Sequence, residues 1–361
     1  MENSQSKYME LVNWIREQIA LKKFIPGKKM CSENELKDMF HVSRQTVRHA
    51  ISVLEKEGIL TRIQGSGTYV NDKRQANLEN RTRISVVTTY VDSYIFPKTI
   101  QGIEKVLFEN GYSVQIAFTN NENIREKTIL EDIISRDEVA GVIMETTKSG
   151  LPNLNLDLYR ELQRRGIPIL FLNSCYAQLS IPHVSLNDRM AGRKIAEYII
   201  GMGHRTIGGI FKLDDGQGHM RYAGYLEAMQ QNGIAVDDAH IIWVDTEDMK
   251  DIAKCADRIL ERLKGCTAVA CYNDEVAYDL IEVLKKRQIR VPESLSVTGI
   301  DDSEQAVLSD VAITTVPHPM DKLGEKAAQN LLQMISDPSF DGTYEFDAEV
   351  VCRDSVKKIN G

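Results

Sequence analysis

Two groups of residues in this 361-residue chain have types and spacing suited to recognition chemistry. In the first, Arg44, Gln45, Thr46, Arg48 and His49 fall on the outward side of a helical repeat whose inward positions are Val47, Ala50, Ile51 and Leu54. Arginine, glutamine and threonine at the start of a helix suit hydrogen bonding to base edges, and one bidentate Arg–guanine pair is worth about 1–3 kcal/mol of discrimination. Gln64, Gly65, Ser66 and Gly67 follow between two short β-type runs, where the glycines can take positive φ and let backbone approach a sugar-phosphate. In the second group, carboxylates, amides and aromatic rings recur just after apolar runs: Tyr90 and Tyr94, Glu145 and Lys148, Asn173, Asp188, Asp214 and Asp215, Asn273 and Asp274, Asp301 and Asp302. Carboxylates and amides exchange hydrogen bonds with hydroxyls, and aromatic faces cover the C–H face of a ring, so this mixture suits a small polyhydroxylated ligand. Asp188, Asp274 and Asp302 have a second reading as helix caps, and Arg221 as a surface cation at a helix start.

The elements that must position the first group are short helices. Apolar residues Tyr8, Leu11, Val12, Ile15 and Ile19 predict a helix over about 7–22, ended by Pro26-Gly27. Ser32 with Glu35 forms a capping-box signature for a second helix through Phe40, with Leu36, Met39 and Phe40 inward. His41-Val42 supplies a tight turn, Ser43 caps the third helix, and Gly58 ends it. Helix, tight turn, capped helix and β-hairpin, in that order, are a winged helix-turn-helix.

The second group requires a different architecture. After a polar stretch, residues 72–82, apolar runs at 84–89, 112–117, 141–144, 167–172, 183–186, 206–211, 268–272 and 295–300 alternate with helical segments. The helices are expected at about 97–110, 124–136, 157–165, 189–202, 219–232, 250–264, 274–287 and 321–336. Such alternation predicts parallel sheets covered on both faces, with ligands at the carboxyl ends of the strands. Its length of some 270 residues is better served by two lobes than by one sheet.

Composition narrows the function. The net charge of −8 divides unevenly: residues 1–80 carry 13 Lys and Arg against 10 Asp and Glu, and the rest carries 31 against 42. A mildly basic head on an acidic body fits a small polyanion-binding module attached to a domain with no nucleic-acid role. The polar N-terminus has no apolar signal region and no run approaches a membrane span, so a cytoplasmic protein is expected, with no membrane partner. The six cysteines include no C-x-x-C pair, so neither disulfides nor a metal site is expected. Glycine-rich nucleotide loops, G-x-S-x-G and H-E-x-x-H are all missing from the sequence, so neither catalysis nor a cofactor is expected.

The motifs S-E-N-E-L (32–36), V-S-R-x-T-V-R-x-A-I (42–51) and Q-G-x-G-T-Y-V (64–70) resemble the winged-helix DNA-binding domain of the GntR family over its whole length, with Cys31 where that family more often has Pro. The resemblance implies that Arg44, Gln45, Thr46 and Arg48 read a major groove and that Gln64, Gly65, Ser66 and Gly67 enter the minor groove. V-S-L-N-D-x-x-A-G-R (184–193), Met220 to Tyr225, Cys271 to Glu275, Val291 to Asp302 and Val316-Pro-His-Pro319 are similar to the effector domain of the LacI/GalR repressors. By that likeness Asp188, Arg221, Asn273 and Asp301 contact hydroxyls of the effector, and His204 is structural.

The pairing of the two resembles the arabinose-responsive repressors of Gram-positive bacteria, through Thr88-Thr-Tyr90, Tyr94-Ile-Phe-Pro97, Glu145 to Ser149, Gly209 to Lys212 and Gln217-Gly218, with Thr146 where that group tends to have Pro. It adds Tyr90, Tyr94, Glu145 and Lys148 to the pocket. The expected organisation is therefore multidomain: a winged helix-turn-helix DNA-binding domain over 1–71, a linker over 72–82, and over 83–361 an α/β periplasmic-binding-protein-like effector domain of two parallel-sheet lobes. The resemblance implies a homodimeric repressor that binds double-stranded operator DNA and is released by a small sugar effector, L-arabinose. The alternatives are another pentose, a hexose or a purine as effector, or a non-regulatory sugar-binding receptor.

Overall fold

The computed structural model describes residues 2–21, 23–25, 27–57, 59–63, 66–71, 81–90, 96–136 and 138–359. Two compact units divide the chain, Met1–Arg81 and Thr82–Gly361. Gln64, Gly65, Tyr94, Gly58 and most of the expected linker lie outside the described residues.

The first unit contains α1 (Glu2–Ala20), α2 (Glu33–Phe40), α3 (Arg44–Lys56) and a hairpin of β1 (Leu60–Ile63) and β2 (Gly67–Val70). The Ser32 hydroxyl accepts from Glu35 N while the Glu35 carboxylate accepts from Ser32 N, which satisfies two helix-end donors reciprocally. His41 closes α2 in the left-handed conformation at φ 50°, and the Ser43 hydroxyl accepts from Thr46 N to open α3. Leu11, Val12 and Ile15 of α1 meet Leu36 of α2 and Val47, Ala50, Ile51 and Leu54 of α3 in one core. Helix α1 runs from Glu2 to Ala20, close to the expected end near 22, whereas Met39, expected inward, is 53% exposed, because α2 buries only Leu36 in its single inward turn. The hairpin also gains a neighbour that carries no strand pattern: Lys28–Met30 pairs antiparallel with β2 through Met30 N→Thr68 O and Val70 N→Lys28 O.

The second unit has two lobes, each a wholly parallel sheet. One sheet runs in the order β12-β7-β6-β5-β3-β4, formed by β3 (Arg83–Thr88), β4 (Ser113–Phe118), β5 (Val139–Glu145), β6 (Ile169–Leu172), β7 (His183–Leu186) and β12 (Tyr344–Phe346). The other runs β11-β10-β8-β9, from β8 (Ile207–Lys212), β9 (Ile241–Val244), β10 (Ala268–Cys271) and β11 (Ser296–Thr298). The intervening helices are α4 (Phe96–Glu109), α5 (Asn123–Arg136), α6 (Leu156–Arg164), α7 (Asp188–Gly201), α8 (Gly216–Gln231), α9 (Thr246–Met249), α10 (Ala256–Arg262), α11 (Asp274–Lys286), α12 (Glu304–Leu308) and α13 (Met320–Ser336). The chain passes between lobes after β7, at Val316–Pro319, and after β12, so these segments form the hinge edge.

The strand run at 241–244, the short helix α12 and strand β12 were not anticipated, being three- to five-residue elements without a period of their own. The helix expected at 250–264 is instead a 3-10 turn at Ile252–Cys255 followed by α10, with the short α9 ahead of it. Helix α8 begins at Gly216 rather than 219, because Asp215 caps it through Gln217 N at 3.1 Å ahead of two glycines that disguise its first turn.

Each lobe is built on one close helix crossing. A Cβ at Gly192 of α7 would overlap the Arg221 carbonyl of α8, and one at Gly224 of α8 would overlap the Arg189 carbonyl of α7. Gly102 and Gly324 do the same for α4 and α13, against the carbonyls of Asp321 and Thr99. Helical Gly→Ala normally stabilises by about 1 kcal/mol. Here the overlap is with backbone, so Gly192→Ala and Gly224→Ala are expected to cost roughly 1–3 kcal/mol instead. Gly201→Ala, with open space around the new methyl, is expected to leave the thermal midpoint level or raise it; thermal melts of the three variants check the difference.

Candidate functional site

On the first unit, Arg44, Gln45 and Arg48 project from the first turns of α3 and are exposed, and Thr46 is half-buried with its hydroxyl 2.8 Å from that of Ser43. Glu33 gathers the neighbouring cations: Arg48 Nε lies 2.9 Å from its carboxylate, Arg44 Nε 3.8 Å and Arg62 Nη2 3.5 Å. Surface pairs of this kind are worth about 0–1 kcal/mol and exchange readily for phosphate or base acceptors. Ser66 is exposed at the hairpin tip with its hydroxyl 2.6 Å from Tyr69 Oη, and Gly67 holds φ 135°. His49 packs edge-to-face on Tyr8 at 4.5 Å, which gives it a place in the helix packing.

In the second unit a cavity of about 250 Å³ opens between the lobes, at the carboxyl ends of both sheets. Tyr90, Glu145, Lys148, Arg221, Asn273 and Asp301 line it. Asp188 lies one layer behind, where its carboxylate accepts from Arg221 Nε at 2.7 Å and from Gln217 Nε2 at 3.2 Å. Arg221 is 1% exposed and not a surface cation. Its remaining nitrogens donate to the Tyr272 carbonyl at 2.7 Å and to Asp301 Oδ1 at 3.2 Å, and its guanidinium stacks 4.8 Å over the Tyr272 ring. Burial works against this charge, but Asp188 and Asp301 outweigh it and hold Arg221 protonated. Burial pushes the Asp188 carboxyl up to about 6 against the opposing pull of Arg221 and Gln217. Asp301 achieves its position through a backbone φ of 113°, a conformation that costs energy in a non-glycine residue and is fixed by Asp301 N→Val316 O at 2.7 Å.

Facing Arg221 from the other lobe, Glu145 ends the central strand β5. Its Oε2 accepts from Thr89 N at 2.7 Å and from the Thr89 hydroxyl, and its Oε1 accepts from Asn173 Nδ2 at 3.0 Å. Burial raises its carboxyl above the usual carboxylate range, with these donors opposing. Burial and the nearby carboxylates, Asp214 and Glu145 first among them, push the Tyr90 hydroxyl up to about 12, so it enters the cleft as a neutral donor. Tyr90 meets Phe96 edge-on at 6.2 Å, forming an aromatic wall. Lys148 takes a left-handed φ of 45°, with its N–H bound to Asn121 Oδ1 at 2.8 Å.

The helix-cap readings resolve residue by residue. Asn187, not Asp188, caps α7, and Asn273, not Asp274, caps α11 by accepting from Val276 N at 3.0 Å, so Asn273 both caps and lines the cleft. Asp302 pairs with Arg353 at 2.5 Å. His204 is buried, its two ring nitrogens 2.8 Å from Thr267 Oγ1 and 3.0 Å from the Lys357 carbonyl, a structural placement.

The lining also holds Asn173 and Asp215, both already among the strand-end residues, and Lys212, Gln217 and Tyr272, which were not assigned to the pocket. Tyr272 Oη donates to Asp215 Oδ2 at 2.6 Å, and Lys212 Nζ stands 3.8 Å from the same oxygen. Lys212 and Tyr272 end β8 and follow β10, so the strand-end rule, applied to every strand, would have found them. No group of metal-ligating side chains is found among the described residues. No helix among them is long and apolar enough to cross a membrane.

A winged-helix head and a two-lobed effector domain with a polar cleft define a DNA-binding transcription regulator, and the comparisons agree. Residues 7–70 match the family of bacterial regulatory proteins called gntR, and residues 196–356 match the periplasmic binding protein-like domain. The chain is 38% identical over 363 residues to the arabinose metabolism transcriptional repressor of Geobacillus stearothermophilus, covering 99% of this chain and 100% of that one. It is 38% identical over 364 residues to the repressor of the same description from Halalkalibacterium halodurans, covering 98% and 97%. The chain belongs to this family of arabinose metabolism transcriptional repressors. In fold it is similar to the transcription regulator CcpA of Lactococcus lactis, at a TM-score of 0.68 and 22% identity over 77% of this chain and 100% of that one. The lac repressor dimer bound to operator and an anti-inducer matches at 0.67 and 20%, over 80% and 99%.

Asp274 gives the unit a pH signature. It accepts from Thr315 Oγ1 at 2.6 Å and Ser303 N at 2.8 Å, and burial, reinforced by Asp301, pushes it up to about 7. Its pKa is higher folded than unfolded, where it is about 3.9, so the folded state binds the extra proton and stability falls as pH rises from about 4 through about 7. Asp274→Asn can keep both hydrogen bonds by donating to Thr315, and is expected to flatten the pH dependence of the thermal midpoint between pH 6 and 8. Melts of both proteins across that window check the sign; equal slopes would refute it.

Proposed function

We propose that this repressor binds operator DNA through Arg44, Gln45, Thr46 and Arg48 of α3 and through the wing, Gln64 to Gly67, and that L-arabinose in the cleft releases it. The observation that carries the ligand class is that the buried charged groups of the cleft floor, Arg221, Glu145 and Asp215, are already met by protein partners, with Lys148 and Glu275 also in the lining. Arg221 is matched by Asp188 and Asp301, Glu145 by Thr89 and Asn173, and Asp215 by Tyr272 and Lys212. What remains is a set of fixed donors and acceptors beside aromatic faces, which favours a neutral polyol over an ion. The volume of about 250 Å³ lies just below the roughly 300–1,000 Å³ of ligand cavities for drug-sized molecules, and supports a ligand as small as a monosaccharide. The arabinose named for both 38% identical relatives supports the particular sugar.

Operator binding as a homodimer follows from the same reading, with half-sites about one helical turn or a multiple apart. Sugar must bind more tightly to the arrangement with low DNA affinity, since a ligand indifferent to the two states shifts nothing.

Calorimetric titration of the full chain with L-arabinose, and with xylose, ribose and galactose as controls, tests the effector. A selective arabinose signal is expected; selective binding of another sugar would replace it. Arg44→Ala is expected to weaken operator binding by roughly 5- to 150-fold and to leave arabinose affinity unchanged. Arg221→Ala is expected to yield a protein that still binds operator and stays bound when arabinose is added. Normal release by that variant would remove Arg221 from the effector site.

A further inference from the structure

Behind the cleft, a buried chain of hydrogen bonds leads from Glu145 to the hinge. Asn173, at φ 63°, donates its Nδ2 to Glu145 Oε1 at 3.0 Å, and its Oδ1 lies 3.1 Å from His318 Nε2. With Glu145 ionised, donors and acceptors alternate in one direction only: His318 Nε2–H to Asn173 Oδ1, then Asn173 Nδ2–H to the carboxylate. That leaves His318 Nδ1 as a bare acceptor, and Nδ1 is the ring nitrogen with no hydrogen-bond partner among the described residues. The imidazole is 5% exposed, and burial, aided by the Arg221 charge, pushes it down to about 3, so it stays neutral and keeps a single tautomer.

His318 sits on the Val316–Pro319 crossing between lobes, between two prolines that fix its backbone. Its N–H donates to the Asp301 carbonyl at 3.0 Å, while Asp301 N donates to Val316 O at 2.7 Å. The same residue therefore reaches the Glu145 side of the cleft through its ring and the Asp301–Arg221 side through its backbone.

We propose that His318 is a positioning residue of the effector site, whose Nε2–H locks the Asn173 amide and through it the Glu145 carboxylate in the orientation that receives the sugar. It holds this role from the hinge segment, so the geometry of Glu145 is tied to the same crossing that fixes Asp301. The inference rests on the reading of the cleft as a sugar site, and the experiment separates the two.

Two isosteric substitutions distinguish the ring nitrogens. The amide nitrogen of His318→Gln falls near the position of Nε2, whereas that of His318→Asn falls near Nδ1; His318→Leu removes both. Arabinose titrations of the full chain are expected to place Gln within about threefold of the parent and Asn and Leu about tenfold or more weaker. Equal losses for Gln and Asn, or no loss for Leu, would overturn the proposal. Nitrogen NMR of the imidazoles at neutral pH, without sugar, is expected to show one resonance set of the Nε2–H tautomer that disappears in His318→Gln. An Nδ1–H tautomer or a protonated ring at this position would overturn it independently of any ligand. A parent protein silent toward all sugars but carrying the Nε2–H tautomer would instead refute the sugar reading and leave the hydrogen-bond chain standing.

Discussion

A fully buried guanidinium must find partners for all its donors, because an unpaired charge in a low-dielectric interior costs several kcal/mol. Arg221 answers with one bond from each of its three nitrogens, to Asp188, Asp301 and the Tyr272 carbonyl, drawn from three separate stretches of the second lobe. Much of the local architecture follows. Helix α8 must press against α7 closely enough for Asp188 to reach Nε, which the crossing at Gly192 and Gly224 permits. Asp301 must present its carboxylate from a backbone conformation that few non-glycine residues adopt. The cleft inherits a floor on which Arg221 is already met by its own carboxylate partners.

The two lobes solve the same problem with different chemistry. The second offers an ion-paired arginine; the first offers a carboxylate, Glu145, held by neutral donors from Thr89 and Asn173. At the edge away from the hinge, beyond β4 and β9, the lobes touch directly: Asn121 Nδ2 donates to Thr246 Oγ1 at 2.6 Å, and that hydroxyl donates to Asp214 at 2.7 Å. Ser149 adds a bond to Asp215 at 3.3 Å and accepts from Gly216 N at 2.9 Å. A ligand that bridges Glu145 and Arg221 would strengthen contacts of this kind, which is the differential interaction that any shift between two arrangements requires.

Arginine serves two purposes in this chain, and exposure separates them. Arg44 and Arg48 are each 58% exposed and share Glu33 at little energetic cost, so they remain available to a polyanion. Arg221 is sealed among its partners and contributes geometry. The head needs little else: three helices, two of them capped by serines, around one apolar core, and a hairpin whose glycine at 67 holds a positive φ.

The local patterns carried the architecture. Ser32, Glu35 and Ser43 marked two helix starts, the apolar spacing of α3 separated its core stripe from its outward face, and alternating β and helical runs gave parallel sheets, because each signal is a property of neighbours in sequence. Short elements such as β9, β12 and α12 were silent, since three to five residues carry no period and are held by pairing with distant strands. For the cleft, six of the eight named effector residues line the cavity; Tyr94 lies outside the described residues, and Asp188 stands behind Arg221. Residue type and strand-end position made five of those six legible, and Arg221, inside α8, was named through the family resemblance. Whether a side chain faces the ligand or supports a neighbour depends on burial and on partners more than a hundred residues away, as with Asn173 and His318, and no local pattern encodes that.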